Sequence, residues 1–533
     1  MKLETFFNKF DQFADAPDAV EKMRELVLQL AVTGKLVTQD KRDEPASVLL
    51  ESTEAERAKL VAAKKIKSRP SSPIESDEQP FDLPSSWAWA RLSDVGYELG
   101  QKVPDKRFTY IDVGGIDSDK GRISESVEKL EPAGAPSRAR KLVARGTVIY
   151  STVRPYLLNI AIVDQDFDPE PIASTAFGIL HPFAGINNRY LFYWLRSAPF
   201  TAYVQAGMKG MAYPAINDEK FYSGPIALPP LAEQKRIVTK VDELMALCDR
   251  LESQQQERET RHAALVRASL ARFADAPTPA NLPFLFHPSY AIPPADLRKS
   301  ILTLAVQGKL VPQDPNDEPA EECDGVKLLT ENEGPELEPP FALPDSWQAA
   351  RVREVLVTRQ GVQIEKAEQL SEPKPGYKRY LYISDFKHDQ KLKFVRDEHP
   401  TKEVTVDDLV MANTAGPGEI FRGVPGILSN NLFKISFAPP QFCQDFLFIY
   451  FTSPCFVEAV GAELKGGAQQ HLGHKLMGKQ FIPVPPLAEQ RRIVAKVEQL
   501  MALVDELETQ LAASRATAAN LLSALVAELT TQG

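Results

Sequence analysis

Four stretches of this 533-residue chain occur twice, in the same order. RELVLQLAVTGKLVTQDKRDEPA at 24–46 returns as RKSILTLAVQGKLVPQDPNDEPA at 298–320, and PFDLPSSWAWARL at 80–92 returns as PFALPDSWQAARV at 340–352. PPLAEQKRIVTKVDELMALCDRLE at 229–252 returns as PPLAEQRRIVAKVEQLMALVDELE at 485–508, and FADAP stands at both 13–17 and 273–277. Self-similarity at this length makes the chain two copies of one unit. Between the PF-LP-SW signal and PPLAEQ, each copy carries about 140 residues that align only in scattered places. A solenoid would repeat its core at a short period, so the pattern predicts two variable modules on equivalent supports.

The supports read as helical. After Pro485-Pro486, apolar residues fall at Ile493, Val497, Leu500, Val504, Leu507 and Leu511, then at Leu521 and Leu525, in steps of four and three. The first copy has Ile237, Val241, Leu244, Cys248 and Leu251, lapses at Gln255 and Arg258, and resumes near Leu265. Each helix opens after a proline pair and runs about 45 residues, roughly 65 Å at the α-helical rise. An isolated stripe of this kind more often faces an ordinary core; two matching seams favour helix pairing. An antiparallel pair would place the inserts at opposite ends about an approximate twofold axis, with the helices carrying LAV-GKLV at 24–37 and 298–311 completing each support.

Within the inserts the period changes to that of strands: FTYIDVGGI at 108–116, GTVIYSTV at 146–153, AFGILHPF at 176–183, KRYLYISDF at 378–386, LVMAN at 409–413 and LFKISF at 432–437. YLFYWLRSAPFTAYVQAG at 190–207 and FLFIYFTSPCFVEAVGA at 446–462 read as helical, and FYSGPIALPP and KQFIPVPP supply a last strand before each long helix. The fold class is therefore α+β: two mixed α/β domains separated by long paired antiparallel helices in a pseudo-twofold duplication. The expected division is a helical segment at 1–60, a linker at 61–80, the first variable domain at 81–228 and a long helix at 229–272. A repeated short helix and linker follow at 273–340, then the second variable domain at 341–484 and its long helix at 485–533. The stretches at 61–80 and 312–340, rich in Pro and charge, read as flexible joints.

A net charge of −10 is awkward for binding an anionic polymer. The distribution relieves this: Lys plus Arg against Asp plus Glu is about 16 to 15 over residues 88–228 and about 17 to 15 over 348–485, so the acidity lies in helices and linkers. Cys248, Cys323, Cys443 and Cys455 show no CxxC pair or matched histidine spacing and read as reduced thiols, not as a metal or disulfide framework. No apolar run reaches the roughly 18 residues of a membrane span, and MKLETFFNKFDQFADA lacks a signal-peptide core, so a cytoplasmic location is expected.

PPLAEQ-RIV-KV--L leading from a variable domain into a long helix, preceded by LAV-GKLV-QD and PF-LP-SW, closely resembles the specificity subunits of Type I restriction-modification systems. The resemblance covers nearly the whole chain, twice over. It implies two target recognition domains, each reading half of a bipartite site in double-stranded DNA, with paired helices fixing the spacer. It also implies two methyltransferase subunits on the helical frame that methylate adenine, and ATP-driven restriction subunits that join them. S-adenosylmethionine, ATP and Mg would then be held by those partners, with no cofactor in this chain.

Candidate DNA contacts follow from residue type. In the first insert Arg138, Arg140, Lys141, Arg145 and Arg154 gather around a strand with Tyr156 nearby, and Arg can grip phosphates or pair with guanine. The glycine-bounded GMKGMAYPAIND offers Lys209 and Tyr213; its positional counterpart, KGGAQQHLGHK, offers Gln469, Gln470 and His471. Lys378, Arg379 and Tyr380 before a strand, and Asn413 and Thr414 in the loop after another, complete the set. For each, the competing reading is a solvated turn that only supports the fold. His388, His399, His471 and His474 have no carboxylate or cysteine cluster beside them to suggest a metal. No G-x-x-x-x-G-K-[ST] loop, no Asn/Asp-Pro-Pro-Tyr/Phe and no nuclease-like acidic cluster occurs, so no chemistry is expected here. The competing class is a non-catalytic coiled-coil scaffold whose inserts bind something other than DNA, an idea that draws on the overall acidity.

Overall fold

The computed structural model describes residues 16, 18–69, 71–208, 214–287, 290–320, 338–388, 391–436, 442–464 and 471–531. They divide into two units, Met1–Glu257 with Ser514–Gly533, and Arg258–Ala513.

In the first unit a leading helix, Ala19–Val32, buries Val20, Met23, Leu26, Val27 and Leu30 at helical spacing. The variable domain leaves on the strand Ala88–Arg91 and returns on Pro225–Leu228, and the two pair antiparallel, Ala88 opposite Leu228 and Arg91 opposite Pro225. An insert whose ends meet in one ladder can vary without disturbing its support. Between them lie two four-stranded sheets, ordered Lys129–Leu130, Phe108–Ile111, Pro171–Ser174, Ala139–Leu142, and Gly96–Tyr97, Phe177–Pro182, Val148–Ser151, Ile160–Ile162. The apolar stretch at 190–207 forms two helices, Asn188–Leu195 and Ala198–Gly207, because Pro199 starts a new helix rather than continuing one.

The second unit repeats this. Its leading helix is Pro294–Val306, and its closing ladder pairs Gln348–Arg351 with Phe481–Val484. Its sheets run Lys393–Arg396, Tyr377–Leu381, Gly426–Leu428, Glu403–Val404, and Val357–Gln360, Leu432–Ser436, Leu409–Ala412, Ile420–Arg422. In both inserts one central pair is parallel, Phe108–Ile111 with Pro171–Ser174 and Tyr377–Leu381 with Gly426–Leu428. The inserts that align poorly as sequences share one topology.

The repeated motifs meet in one latch per unit. Glu233, in the first turn of the long helix Leu231–Asp275, accepts from Gln39 Nε2 at 2.6 Å, and Arg236 pairs with Asp43 at 2.6 Å. Gln234 donates to the carbonyl of Pro229 at 2.9 Å and accepts from the amide of Asn187 at 2.9 Å. In the second unit Glu489 accepts from Gln313 at 2.6 Å and from the Trp347 indole at 2.9 Å, Arg492 pairs with Asp317 at 2.6 Å, and Gln490 reaches Pro485 and Cys443. Burial pushes the Glu233 and Glu489 carboxyls above the ordinary range, against the hydrogen bonds they accept. Gly34 and Gly308 end the leading helices at φ of 73° and 69°, where a Cβ would stand 2.5 Å and 2.4 Å from Pro84 Cγ and Pro344 Cγ.

The heptad seam divides its work along each helix. Ile237, Val241 and Leu244 bury in the first domain's own core with Trp87, Tyr190 and Ile226. Ile493, Val497, Leu500 and Val504 do the same in the second unit with Trp347 and Phe446, and Leu507 packs there partly buried. Further along, Cys248 and the partly buried Leu251 join Met23, Leu26, Leu522, Leu525 and Leu529 in a separate cluster of the first unit, so the tail of the second long helix, Leu487–Thr531, belongs there. Leu511 is half-buried. The tail of the first long helix is placed likewise: Val266 and Phe273 bury in the second unit with Leu297 and Ile301. Residues 253–265 and 505–517 are mostly exposed.

The stretch read as a flexible joint at 61–80 is instead fastened to the first domain. Arg91, buried, binds Glu78 and the carbonyls of Ser72 and Pro73, while Arg69 pairs with Glu98 and lies 3.7 Å from the Tyr222 ring centre. Most of the other joint, at 321–337, falls outside the described residues. Cys248, Cys443 and Cys455 are free, with burial pushing the Cys248 thiol up to about 11; Cys323 lies outside the described residues. Among the described residues no single helix is long and apolar enough to cross a membrane.

Candidate nucleic-acid interface

Each variable domain has an edge where strand ends and turns gather polar side chains. In the first, the strand Val148–Ser151 runs into a turn in which Arg154 and Leu158 hold left-handed φ of 47° and 50° around buried Pro155. That conformation costs a side-chain-bearing residue of order 1–3 kcal/mol, and here it lifts Tyr156 and Leu157 out of the domain, 47% and 48% exposed. Backbone bonds fix the neighbourhood: Thr152 N–H donates to Ala176 O at 2.8 Å, Thr175 N–H to Arg138 O at 2.8 Å, and Arg154 N–H to Pro214 O at 2.8 Å. Exposed Arg138, Arg154, Tyr156 and Thr175 therefore belong to one edge.

Other expected residues of the first insert lie elsewhere. Lys141 is 2% exposed, its ammonium 2.8 Å from Asp218 and 3.7 Å from Glu98, so it is an internal counter-charge and not a surface contact. Strand alternation turns it inward. Arg140 is half-buried and donates to the Ala139 carbonyl. Arg145 stands before the start of the Val148–Ser151 strand, away from Arg154. There it pairs loosely with Asp166 at 3.3 Å and lines a cavity of about 790 Å³ with Arg189, Arg196 and Asp242. Lys209 and Tyr213 lie outside the described residues.

In the second domain the equivalent strand, Leu409–Ala412, runs into the loop of Asn413 and Thr414, and Ala415 holds φ 50° where the first copy has Arg154. The correspondence is close: Leu472 N–H donates to Asn413 O at 2.9 Å as Ile216 N–H donates to Thr152 O at 2.9 Å. One turn is armed with Arg-Pro-Tyr-Leu, the other with Ala-Gly-Pro-Gly. Asn413 is 1% exposed, its Nδ2 donating to Asn430 O at 3.0 Å, so it props the edge from beneath rather than facing outward. Thr414 is half-exposed and His471 exposed. Gln469 and Gln470 lie outside the described residues.

The Lys378, Arg379, Tyr380 group is also committed internally. Lys378 pairs with Glu403 at 2.7 Å and Asp397 at 3.1 Å, and Arg379 with Asp385 at 3.1 Å. Tyr380 is 2% exposed and donates to the Val362 carbonyl, burial pushing its phenol up to about 12. Residue-type reasoning missed Gln360, Gln363, Asn430 and Lys402. Gln360 donates to Asn430 O at 2.9 Å, and Lys402 donates to Gln360 O at 2.7 Å. Strand order relates the two turns: Ser174-Thr175-Ala176 and Ser429-Asn430-Asn431 each join the central parallel strand to the next antiparallel one. His474, beside Thr358 Oγ1 at 2.8 Å, is held below the ordinary imidazole value by burial and then by the charges of Lys402 and His471. Among the described residues no three His, Cys, Asp or Glu side chains gather as metal ligands would. These edges offer donors, acceptors and cations.

A family model described as the Type I restriction modification DNA specificity domain matches residues 84–259 and again 344–514, each span covering an insert and part of its long helix. The specificity subunit of Type I restriction enzyme EcoAI from Escherichia coli is 27% identical over 561 residues, covering 95% of this chain and 93% of its own. That of EcoEI, also from Escherichia coli, gives 27% over the same spans. A chain solved in work on complex assembly and conformational transition of the type I R-M system is 26% identical, covers 85% of this chain and 100% of its own, and superposes with a TM-score of 0.51.

Proposed function

The chain belongs to the family of Type I restriction-modification specificity subunits, and on that premise we propose that each variable domain reads one half of a bipartite site in double-stranded DNA. The long helices set the spacer and dock two methyltransferase subunits, and restriction subunits complete the complex. Adenine methylation and ATP-dependent cleavage then fall to those partners, which hold S-adenosylmethionine, ATP and Mg. This chain contributes recognition and no chemistry, and it works in the cytoplasm.

The observation that supports this reading is a shared backbone with different side chains. Two inserts of one topology stand on one duplicated latch, yet at equivalent turns one carries Arg154, Tyr156 and Thr175 and the other Ala415, Pro417 and Asn430. Equivalent supports suit two copies of one partner, whereas unlike turns suit two unlike half-sites. Among the described residues the edges carry few exposed cations, so affinity in the assembled complex draws heavily on the partners' phosphate contacts. Long-read methylation sequencing of host DNA, with this chain and its partner subunits expressed together, tests the proposal. The expected result is one bipartite motif with modified adenine in both halves. Absence of any sequence-dependent methylation from an assembled complex refutes it.

A further inference from the structure

The second domain's edge holds an arrangement of amides that the general reading leaves unexplained. At the Ser429–Asn430–Asn431 turn the carbonyl of Asn430 accepts two side-chain amides, Gln360 Nε2 at 2.9 Å and the buried Asn413 Nδ2 at 3.0 Å. Asn413 N–H also donates to Asn431 O at 3.0 Å, so the turn is tied from below at consecutive residues. From the side, Val362 bridges Ser429, and Gly361 makes that approach possible, since a Cβ there would stand 2.1 Å from the Ser429 carbonyl oxygen. The backbone of Asn430 is thus fixed independently of its side chain.

That side chain turns to Gln363, Asn430 Nδ2 donating to Gln363 Oε1 at 3.3 Å. Among the described residues, Asn430 Oδ1 and Gln363 Nε2 are then left without a protein partner, with Gln363 exposed and Asn430 half-exposed. An acceptor and a donor stand side by side, held by a bond between their own side chains. Base edges in the major groove differ in what they ask for: guanine presents two acceptors, cytosine a donor, thymine an acceptor and a methyl, and adenine alone an acceptor next to a donor. Asn430 Oδ1 facing N6–H and Gln363 Nε2 facing N7 match adenine. At the equivalent turn of the first domain Thr175 brings one hydroxyl, which suits any of several bases.

We propose that the Asn430–Gln363 pair is the base-reading head of the second domain and takes the major-groove edge of the adenine in an A·T pair. The inference rests on the DNA-recognition reading above. Fixing the turn before DNA arrives removes the ordering cost that a free amide would carry, which favours discrimination over mere contact.

The test uses the full complex with Gln363→Ala and Asn430→Ala. Neither change removes a buried side chain, and the props from Gln360 and Asn413 act on the Asn430 carbonyl, which both variants keep. Long-read methylation sequencing should show one position of one half-site losing its preference for A by about ten- to a hundred-fold in both variants. The other half-site and the spacer should keep the wild-type pattern. That half-site must also be the one that persists when residues 88–228 are exchanged. A motif unchanged at every position in both variants overturns the proposal, as does relaxation in the half-site that follows residues 88–228. A wild-type complex with no methylated motif would instead fail the functional reading itself, so the two failures are separable.

Discussion

Arg492 lies 2.6 Å from Asp317, a residue 175 positions earlier, and this pair ties the QD-x-x-D loop to the first turn of the second long helix. Arg236 and Asp43 repeat it at 2.6 Å. The carboxylates are 8% and 9% exposed and the guanidiniums more than a third, so water screens part of the attraction. Asp317→Asn should therefore cost only about 1 kcal/mol. The same change at Asp43 should cost as much, and the two should add. Hydrogen exchange should show the lost protection in the first turns of the corresponding long helix; equal loss throughout the chain would contradict a local latch.

Gly34 and Gly308 should be the least replaceable glycines of the frame. Each combines positive φ with a Cβ position inside a proline ring's van der Waals envelope, so Gly308→Ala meets backbone strain and overpacking together, about 2–4 kcal/mol. Gly376, at φ 79° with open space around it, supplies the comparison: Gly376→Ala meets strain alone, about 1 kcal/mol. Thermal denaturation of the two variants measures the difference, and equal shifts would refute the close-packing argument.

His181 gives the first unit a dependence on acid. Burial holds its imidazole below the ordinary value, and Nδ1 lies 2.9 Å from Thr147 Oγ1. The folded state then binds fewer protons than the unfolded one, whose histidine titrates near pH ~6.5. The contribution is fully present above that pH and is lost as pH falls through the depressed folded value. Glu233 and Glu489, raised by burial, act in the opposite sense, so the measurement is the difference between wild type and His181→Gln. The variant should show a shallower loss of denaturation midpoint between about pH 7 and 5. An unchanged slope would remove His181 from the account.

The frame was legible in the sequence because its geometry depends on particular residues twice over. A left-handed helix end against a proline needs Gly34 and Gly308, and the latches need Gln, Asp, Glu and Arg at fixed places. Strands such as Val148–Ser151 and Leu409–Ala412 were legible as short apolar runs, and both are buried at every position. The shared topology of the inserts was not. Sheet order depends on pairing between distant segments, as between Tyr377–Leu381 and Gly426–Leu428, and many apolar residues satisfy it equally well. Charge and residue type favoured Lys141, Tyr380 and Asn413 as contacts, yet each is turned inward; the Asp218 that neutralises Lys141 lies 77 residues away. Asn430 escaped notice because Ser-Asn-Asn after a strand reads as an ordinary turn.

Exchange of residues 88–228 for another recognition domain should change one half of the methylated motif and leave the other intact. The insert leaves and returns in a single ladder, Ala88–Arg91 against Pro225–Leu228, so a foreign insert that keeps those strands keeps the Gln39–Glu233 and Arg236–Asp43 bonds of the latch, which lie outside it. Methylation sequencing reads the outcome directly. Changes in both halves would contradict modular reading.

Lengthening both long helices should change the spacer alone. The insertion belongs in the exposed stretches at 253–265 and 505–517, clear of Leu251 in the cluster with Cys248, where added residues disturb neither buried end. Seven residues add about 10.5 Å and close to two full turns, so each helix keeps nearly the same face toward its neighbours at both ends. At 3.4 Å per base pair that length corresponds to about three base pairs. Matched heptads after Gln256 and Leu511 should therefore give a motif with unchanged halves and a spacer longer by about two to three base pairs. A spacer that stays constant while methylation persists would mean that something other than helix length sets the distance, and altered half-sites would mean that the insertion had reached the recognition domains.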